Sequence, residues 1–479
     1  MITYQDLLEC GDNEDLRMSF ILRAINWHTG SDEYKLALDG EAYLSGRNTT
    51  IEKYQKFLRT RTGKLIQDTI SPNHKNKSGF FKRFIIQRCA YLLGNGVILT
   101  DDNGKQLETA SILGKKFDKN MYFFSKKALA QAASYGFYNL DHVDWFKFTE
   151  FVPLYDEEDG AMKAGIRFWR LAPEKPQRAT LYELDGYTEY IENLKSRTEG
   201  DEKPFHIYRE KRKYKQTFTV SDAEGKIYTD GSNYDGFPIV PLYANEERQS
   251  ELIGIREQID CYDLIKSGFA NDLDEAKLFW ILKNLGGLDS ETDLVKFREQ
   301  MRLFKAATLD DGAEIEAHTV EIPYQSREVY LALLKKDLYE DAMALNTEQI
   351  AAGNVTATQI NAAYEPLNEI TDEFEYRCID FVEGLLKLAG VNATVKFNRS
   401  IMKNQAEETQ MILSAAQMLD EDTVIEKLPF LSSDEVKTVK ERRSAEDLAL
   451  LSGKPEGNQK QPEEPSELTY FTGQRRSDD

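Results

Sequence analysis

The chain has 479 residues, enough for about three domains by the usual relation between length and domain number. Its 61 basic and 82 acidic residues give a net charge of −21, which argues against a nucleic-acid binder that works by neutralising phosphates. No apolar run approaches the ~18 residues of a membrane-spanning helix, and the N-terminal sequence is acidic where a signal peptide is basic, so we expect neither. The cysteines form no C-x-x-C pair and are expected to be buried free thiols in a reducing cytosol: Cys10, Cys89, Cys261 and Cys378.

Residues 1–240 alternate helical and strand-like patterns, which predicts a mixed α/β region. Helical periodicity covers 14–25, 48–58, 79–92 and 117–135. Strand-like runs follow at 145–153, 166–170, 180–184, 206–208 and 215–220. The basic run at 203–215 fits a solvated edge strand, and contact with DNA or a neighbouring subunit is the alternative.

A proline-bounded strand near 237–243 leads into a long amphipathic helix, predicted from 246 to about 273 with Asn245 as its N-cap. At ~1.5 Å per residue this helix would span roughly 40 Å, which suits a spacer better than a catalytic scaffold. Asp260 and Asp263 fall on its polar faces, where we expect solvated carboxylates. Its apolar stripe consists of Leu252, Ile255, Ile259, Tyr262, Ile265, Phe269 and Leu273.

A compact β-α-β-β pattern follows, with strands at 278–282, 303–309 and 314–320 and a helix at 291–301. So small a module buries little apolar surface alone, and strand pairing between neighbouring copies is therefore expected. Its candidate interface residues are Phe279, Trp280, Phe297 and Phe304.

A second amphipathic helix is predicted at 324–345, with Lys335 and Lys336 away from its apolar stripe. Small and polar residues at 346–357 then break the helical pattern and predict a loop. Its candidate functional residues are Thr347, Glu348, Gln349, Gly353, Asn354 and Thr356. Gly353 offers a positive φ, and Asn354 or Thr356 can cap the next helix.

A long helix is predicted from 358, followed by a strand that ends near 397. Pro366 lies inside this helix and should kink it, because the ring removes a backbone donor and clashes one turn back. Helices are expected at 407–419 and 435–451. The proline-rich polar tail at 453–479 is predicted to be disordered.

The sequence carries no recognisable catalytic or cofactor motif. No phosphate-binding G-x-x-x-x-G-K-[S/T] loop occurs, the five histidines lack metal-ligand spacing, and there is no G-x-S-x-G elbow. We therefore expect no enzyme activity, cofactor or metal. A metal-dependent nuclease built from clustered carboxylates is the alternative from another functional class.

The segment from 237 to 267 resembles the signature region of tailed-bacteriophage portal proteins of the siphophage type. The matching residues are Phe237, Pro238, Asn245, Ile259, Asp260, Tyr262, Asp263 and Ser267. Three further blocks, at 78–99, 128–170 and 354–370, stand in the family's order. The order of the four blocks carries the resemblance, which covers most of the chain.

The resemblance implies a portal fold of the α+β class, with an α/β wing, a long-helix stem, a small β-α-β-β clip and a helical C-terminal crown. The implied parts are wing 1–245, stem helices 246–276 and 324–345, clip 277–323, tunnel loop 346–357, long kinked helix and returning strand 358–398, crown 399–452 and tail 453–479.

The resemblance also implies a homo-oligomeric ring of about twelve subunits at one capsid vertex. Double-stranded DNA would pass through it during packaging and ejection, with Asp260, Asp263, Lys335, Lys336 and the tunnel loop lining the channel. Implied partners are the terminase large subunit, a head-completion or connector protein, and the major capsid and scaffolding proteins. The implied location is the virion, after assembly in the host bacterial cytoplasm. A coiled-coil adaptor that forms no ring is the remaining alternative.

Overall fold

A computed structural model describes most of the first 400 residues and short pieces of the remainder. The described ranges are 2–59, 62–69, 71–194, 203–221, 226–274, 278–283, 314–319, 324–350, 356–400, 412–416 and 421–427, with single positions at 295, 296, 299, 436, 438–440, 442 and 443. Only the backbone is described at 217–221, 226–230, 278–283, 314–319, 349, 350, 357, 421 and 426. The chain divides into two compact units, 1–401 and 402–479.

The described helices of the first unit are α1 (Tyr4–Leu8), α2 (Glu14–Gly30), α3 (Asp32–Leu44), α4 (Thr49–Lys53), α5 (Phe80–Leu93), α6 (Thr109–Leu113), α7 (Phe117–Gln131), α8 (Arg256–Asp274), α9 (Tyr324–Asp341), α10 (Thr347–Ile350) and α11 (Ala357–Ala389). A 3-10 turn covers Phe148–Glu150. In the second unit, α12 is Glu421–Lys427. Several helices have a side-chain N-cap. Asn13, Ser31 and Asn48 accept hydrogen bonds from backbone N–H groups in the first turns of α2, α3 and α4.

The described strands are β1 (Phe57–Arg59), β2 (Leu65–Gln67), β3 (Val97–Thr100), β4 (Gln106–Leu107), β5 (Ala133–Asn139), β6 (His142–Lys147), β7 (Phe151–Tyr155), β8 (Met162–Trp169), β9 (Arg178–Glu183), β10 (Gly186–Glu192), β11 (Phe205–Arg212), β12 (Lys215–Ser221), β13 (Lys226–Ser232), β14 (Ile239–Tyr243), β15 (Leu278–Lys283), β16 (Glu314–Thr319) and β17 (Thr394–Phe397). Strands β7 to β11 form an antiparallel meander with β11 at one edge, and the sheets β14-β5-β6 and β17-β3-β4 have three strands each. Three hairpins remain, β1-β2, β12-β13 and β15-β16. The predicted mixed α and β structure is confirmed, and so is an edge position for the basic run around β11.

Several predicted elements have other boundaries. The helix predicted at 117–135 ends at Gln131, because Ala132 takes a φ of +84° and β5 begins directly after it. The helix predicted at 48–58 ends at Lys53, and the chain continues into β1. The strand predicted at 145–153 is two strands, β6 and β7, separated by the 3-10 turn.

The main hydrophobic core lies between α11 and the β14-β5-β6 sheet, with α5 and α7 beside them. Phe374, Cys378, Phe381 and Leu385 form the fully buried stripe of α11, as their spacing predicts. Gly136 on β5 faces this stripe, and a Cβ atom there would lie 2.6 Å from Cζ of Phe381. Glycine therefore lets the helix approach the sheet closely. A second core packs α1 and α2 against strands of the five-stranded sheet.

Helix α11 is bounded by side-chain and backbone signals at both ends. Thr356 caps its start through a capping box with Gln359, and Gly390 ends it with a φ of +70°. Of the two predicted caps, Thr356 is therefore confirmed. The helix continues across Pro366, and the kink expected there stays a prediction.

Candidate functional site

The signature segment starts with β14 as predicted, but α8 begins at Arg256 rather than directly after the strand. Asn245 is therefore not the N-cap of this helix. Its Oδ1 accepts a hydrogen bond from Gln249 N at 2.9 Å and its Nδ2 donates to Glu251 Oε1 at 2.9 Å, which closes a turn. Leu252 is still fully buried, because turns between β14 and α8 also return apolar residues to the core at intervals of three or four.

One face of α8 is polar and buried, and it bonds to the chain just before α5. Three side chains spaced four residues apart accept hydrogen bonds from alternate backbone N–H groups of residues 74–78, which we call the strap. The bonds run from Ser78 N to Asp263 Oδ1 (2.8 Å), from Asn76 N to Ser267 Oγ (2.9 Å) and from His74 N to Asn271 Oδ1 (2.6 Å). We call these three bonds the polar ladder.

The three bonds can form in register because the repeat of an α-helix matches that of an extended chain. Four residues of an α-helix rise about 6 Å, and two residues of extended chain advance about 6.6 Å. Every second N–H of the strap therefore meets one helical turn of α8. The strap belongs to neither a helix nor a strand, so the side chains of α8 supply hydrogen-bond partners for its N–H groups.

Asn48 extends the ladder to α4. Its Oδ1 accepts from Ile51 N at 3.0 Å and caps α4, while its Nδ2 donates to Asp263 Oδ2 at 2.9 Å. Asp263 is 0% exposed, and burial raises the pKa of its carboxyl, although the hydrogen bonds from Asn48 and Ser78 oppose that shift. An asparagine fits position 48 because it presents an acceptor and a donor at once.

Asp260 joins α8 to α3. The Tyr43 hydroxyl lies 2.5 Å from Asp260 Oδ1, and burial together with this bond raises the pKa of Tyr43 to about 12. Arg256, one turn earlier, pairs with Asp39 at 2.8 Å. Helix α8 is thus fastened to α3, α4 and the strap by side chains from successive turns.

The expectation that Asp260 and Asp263 are solvated carboxylates is wrong, whereas their place along the channel stays a prediction. Asp263 is completely buried and Asp260 is largely buried against Tyr43. Helical spacing predicts solvated faces at both positions, but each carboxylate has polar partners from distant parts of the sequence.

Lysines of the strap also interact with Glu52 at the protein surface. Glu52 at the end of α4 pairs with Arg47 at 2.7 Å and with Lys77 of the strap, while Lys75 donates to the Glu52 carbonyl. The ion pairs with Arg47 and Lys77 lower the pKa of Glu52 from 4.5 to about 2.

Glu52→Gln is expected to flatten the pH dependence of stability under acid conditions. Because the pKa of Glu52 is lower in the folded chain, its contribution is present above pH 4.5 and is lost as the pH falls towards 2. Urea unfolding at a series of pH values measures this. The matched control is Glu33→Gln, an exposed carboxyl on α3. An equal slope for wild type and Glu52→Gln would contradict the assignment.

Helices α8 and α9 pack against each other as an antiparallel pair. Gln258 near the start of α8 donates to Asp341 at the end of α9, and Arg327 near the start of α9 pairs with Asp272 near the end of α8. Tyr339 anchors the pair to α5, since its hydroxyl accepts from Arg83 Nη1 at 2.5 Å.

The segment predicted as a loop at 346–357 contains the short helix α10. Asn346 Oδ1 accepts from Glu348 N at 3.1 Å and so begins it. Lys335 on α9 pairs with Glu348 at 2.6 Å, whereas Lys336 is 68% exposed and lies 3.4 Å from Glu340. Thr347 is exposed. Gly353 and Asn354 lie outside the described residues, and Gln349 is described by its backbone alone.

The predicted β-α-β-β module is described in part. Strands β15 and β16 form an antiparallel hairpin in which Leu278 is opposite Thr319 and Lys283 is opposite Glu314. This confirms the first and last predicted strands of the module. Phe279 and Trp280 lie on β15, where only the backbone is described, and Phe297, Phe304 and the strand predicted at 303–309 lie outside the described residues. The tail at 453–479 also lies outside the described residues.

Among the described side chains, no group of three His, Cys, Asp or Glu residues is arranged to hold a metal ion. None of the described helices combines the length and the apolar character needed to cross a membrane. The four cysteines are free thiols; Cys89 and Cys378 are buried as predicted, whereas Cys10 and Cys261 are only half-buried.

A model of the family "Phage portal protein, SPP1 Gp6-like" matches residues 27–448. The class is that of phage portal proteins, which are structural components of virions. The chain belongs to this SPP1 Gp6-like family.

Two curated relatives are phage portal proteins. The portal protein of Clostridium phage phiCD119 is 23% identical over 386 residues, covering 74% of this chain and 81% of the relative. The portal protein of Bacillus phage SPP1 is 22% identical over 448 residues, covering 87% and 85%. A solved structure described as the neck of a native GTA particle computed with C12 symmetry is 10% identical, with a TM-score of 0.38 and coverage of 74% and 90%.

Sequence reasoning identified the signature residues but missed their partners. Tyr43, Asn48 and the strap are at least 185 residues from their bonding partners in α8, and no local pattern connects them. One signal was present. Asp263, Ser267 and Asn271 repeat at intervals of four, which predicts a continuous polar row on one side of a helix.

Proposed function

We propose that copies of this chain form a closed ring of about twelve subunits at one capsid vertex. The axial channel would carry double-stranded DNA into the head during packaging and out of it during ejection. The ring would bind the terminase large subunit and, later, a head-completion or connector protein. Major capsid and scaffolding proteins would contact it during assembly in the host cytoplasm. Membership of the phage portal family is the observation that carries this proposal.

The described elements support a division of labour within each subunit. The α/β body at 1–245 would be the wing, α8 and α9 the stem, and the β15-β16 hairpin part of the clip. The polar ladder supports this assignment because it ties the stem to the wing through buried hydrogen bonds. Residues 346–357 would be the tunnel loop and 399–452 the crown.

The charges of α9 and α10 suit transient rather than tight contact with DNA. Lys335 is paired with Glu348, and Lys336 lies beside Glu340. Each cation is partly neutralised within the subunit, so a phosphate would compete with a carboxylate for it. Such contacts would let DNA slide through the channel.

The mass of the purified protein tests the proposal. Native mass spectrometry should give a ring of about twelve subunits, and electron micrographs should show annular particles. An elongated monomer or dimer would support the coiled-coil adaptor instead. Metal-dependent DNA cleavage that is lost on mutation of carboxylates would support the nuclease.

Removing residues 351–353 is expected to impair DNA packaging while rings still form at normal yield. The deletion shortens the tunnel loop but leaves the Thr356 cap of α11 and the Lys335–Glu348 pair in place. Packaged DNA per particle and ring yield are the two measurements. The control is Glu365→Gln, which changes an exposed carboxyl of α11 without altering the loop or its length. Failure of the shortened protein to form rings would mean that the loop is structural.

A further inference from the structure

The β1-β2 hairpin exposes large apolar side chains that the described part of its own chain does not cover. All six strand residues are exposed. The exposed fractions are 57% for Phe57, 42% for Leu58, 65% for Leu65 and 45% for Ile66. Isolated exposed leucines are ordinary, but four exposed large apolar residues on one six-residue hairpin are an unusual concentration.

Both faces of the hairpin carry large apolar side chains. Directly opposed residues of an antiparallel pair share a face. Leu58 opposes Ile66 on one face, while the other face carries the pairs of Phe57 with Gln67 and Arg59 with Leu65. A hairpin lying flat on its own body would cover one face only. A two-stranded hairpin is also marginally stable alone, so this one needs a partner that encloses it.

The hairpin is positioned by its base. Asp68 N donates to the Lys56 carbonyl at 2.8 Å, and Ser71 N donates to Asp68 Oδ1 at 3.0 Å. The Lys56 ammonium donates to the carbonyl of Pro72, two residues before the strap, at 2.6 Å. The turn at the tip includes Gly63 with a φ of +85°, a conformation that favours glycine. The hairpin is thus a prearranged arm joined to the segment that clasps α8.

The arm differs in charge from the rest of the chain. Residues 53–64 contain five Lys and Arg residues and no Asp or Glu, whereas the whole chain has a net charge of −21. A second copy of this chain therefore offers both an acidic surface and protein side chains to bury the apolar faces. DNA offers charge alone, since a phosphate backbone covers no apolar side chain.

We propose that the β1-β2 hairpin packs against a neighbouring copy of this chain and is buried between subunits. The inference rests on the proposed ring, in which every copy has a neighbour related by the same rotation. Such a contact is heterologous, because the arm of one subunit meets a different surface on the next. The arm and the strap would then connect the subunit contact to α8.

Photo-crosslinking tests the position of the arm directly. A benzoylphenylalanine introduced at Ile66 of the full-length protein, purified as rings and irradiated, should give a covalent dimer whose peptides come from two copies. Mixing labelled and unlabelled subunits distinguishes this adduct from one within a chain. The matched control places the same probe at Leu171, which is 87% exposed and lies outside the hairpin. Adducts confined to one chain, or formed only with added DNA, would overturn the proposal.

Assembly provides a second measurement. The double variant Leu58→Ser, Ile66→Ser removes the opposed apolar pair. We expect the protein concentration at half-maximal ring assembly to rise at least about tenfold. The thermal midpoint of the unassembled subunit should change little, because both side chains are exposed there. If wild-type protein forms no ring at all, the proposed function fails. If wild type and variant assemble equally and the probe at 66 reaches no second copy, only the arm inference fails.

Discussion

Asn48→Asp is expected to lower the free energy of unfolding by about 2–4 kcal/mol at neutral pH. The new carboxylate can still cap α4, but it replaces the amide that donates to Asp263 at 2.9 Å. Two carboxylates would then meet where Asp263 is fully buried. One must take up a proton, so the loss should shrink as the pH falls. Urea unfolding at pH 7 and pH 5 measures both effects.

The donor and acceptor at this position can be exchanged. Asp263→Asn in the Asn48→Asp background returns one amide and one carboxylate, and the new amide oxygen can still accept from Ser78 N. We expect the double variant to recover most of the lost stability, a coupling that a double-mutant cycle quantifies. Asn13→Asp is the control, because Asn13 caps α2 in an exposed position. Equal losses in the single and double variants would show that the Asn48–Asp263 bond does not matter.

Gly136→Ala is expected to cost about 1–3 kcal/mol of stability. The added Cβ would lie 2.6 Å from Cζ of Phe381 and 3.1 Å from Cγ1 of Val143, so at least one must move. Phe381 has little room, since it is fully buried and its ring centre lies 5.1 Å from that of Trp145. Thermal and urea unfolding both report this change.

A smaller side chain on α11 should relieve the strain. Phe381→Leu removes the ring atom that the new Cβ approaches, so the cost of Gly136→Ala should be smaller in that background. Gly236→Ala serves as a control, because no atom lies within 4 Å of its added Cβ. A full cost in the Phe381→Leu background would place the conflict elsewhere, at Val143 or in the strand backbone.

The sequence predicted elements best where burial follows one regular repeat. The stripe of α11 through Phe374, Cys378, Phe381 and Leu385 is an example, and the start of that helix at Thr356 follows from local capping chemistry. Each of these signals depends on residues only three or four positions apart. Strands β8, β9 and β12 were likewise placed by their apolar and β-branched runs.

The candidate site was predicted incompletely because its partners are non-local. The helical pattern predicts a solvated carboxylate at Asp263, and only the folded chain brings Asn48 and Ser78 to it. The β1-β2 hairpin was missed for a related reason. Residues 48–58 have helical spacing, but β1 is defined by its pairing with β2 and not by its own pattern.

The polar ladder has a mechanical consequence. The strap runs antiparallel to α8, since residues 74, 76 and 78 meet 271, 267 and 263 in turn. A pull along the helix axis would therefore load the three bonds together, in shear, instead of unzipping them one at a time. Rotation of the helix would withdraw all three acceptors at once. Helix α8 should consequently act as a stiff rod that transmits axial force and torque to the α/β body without slipping.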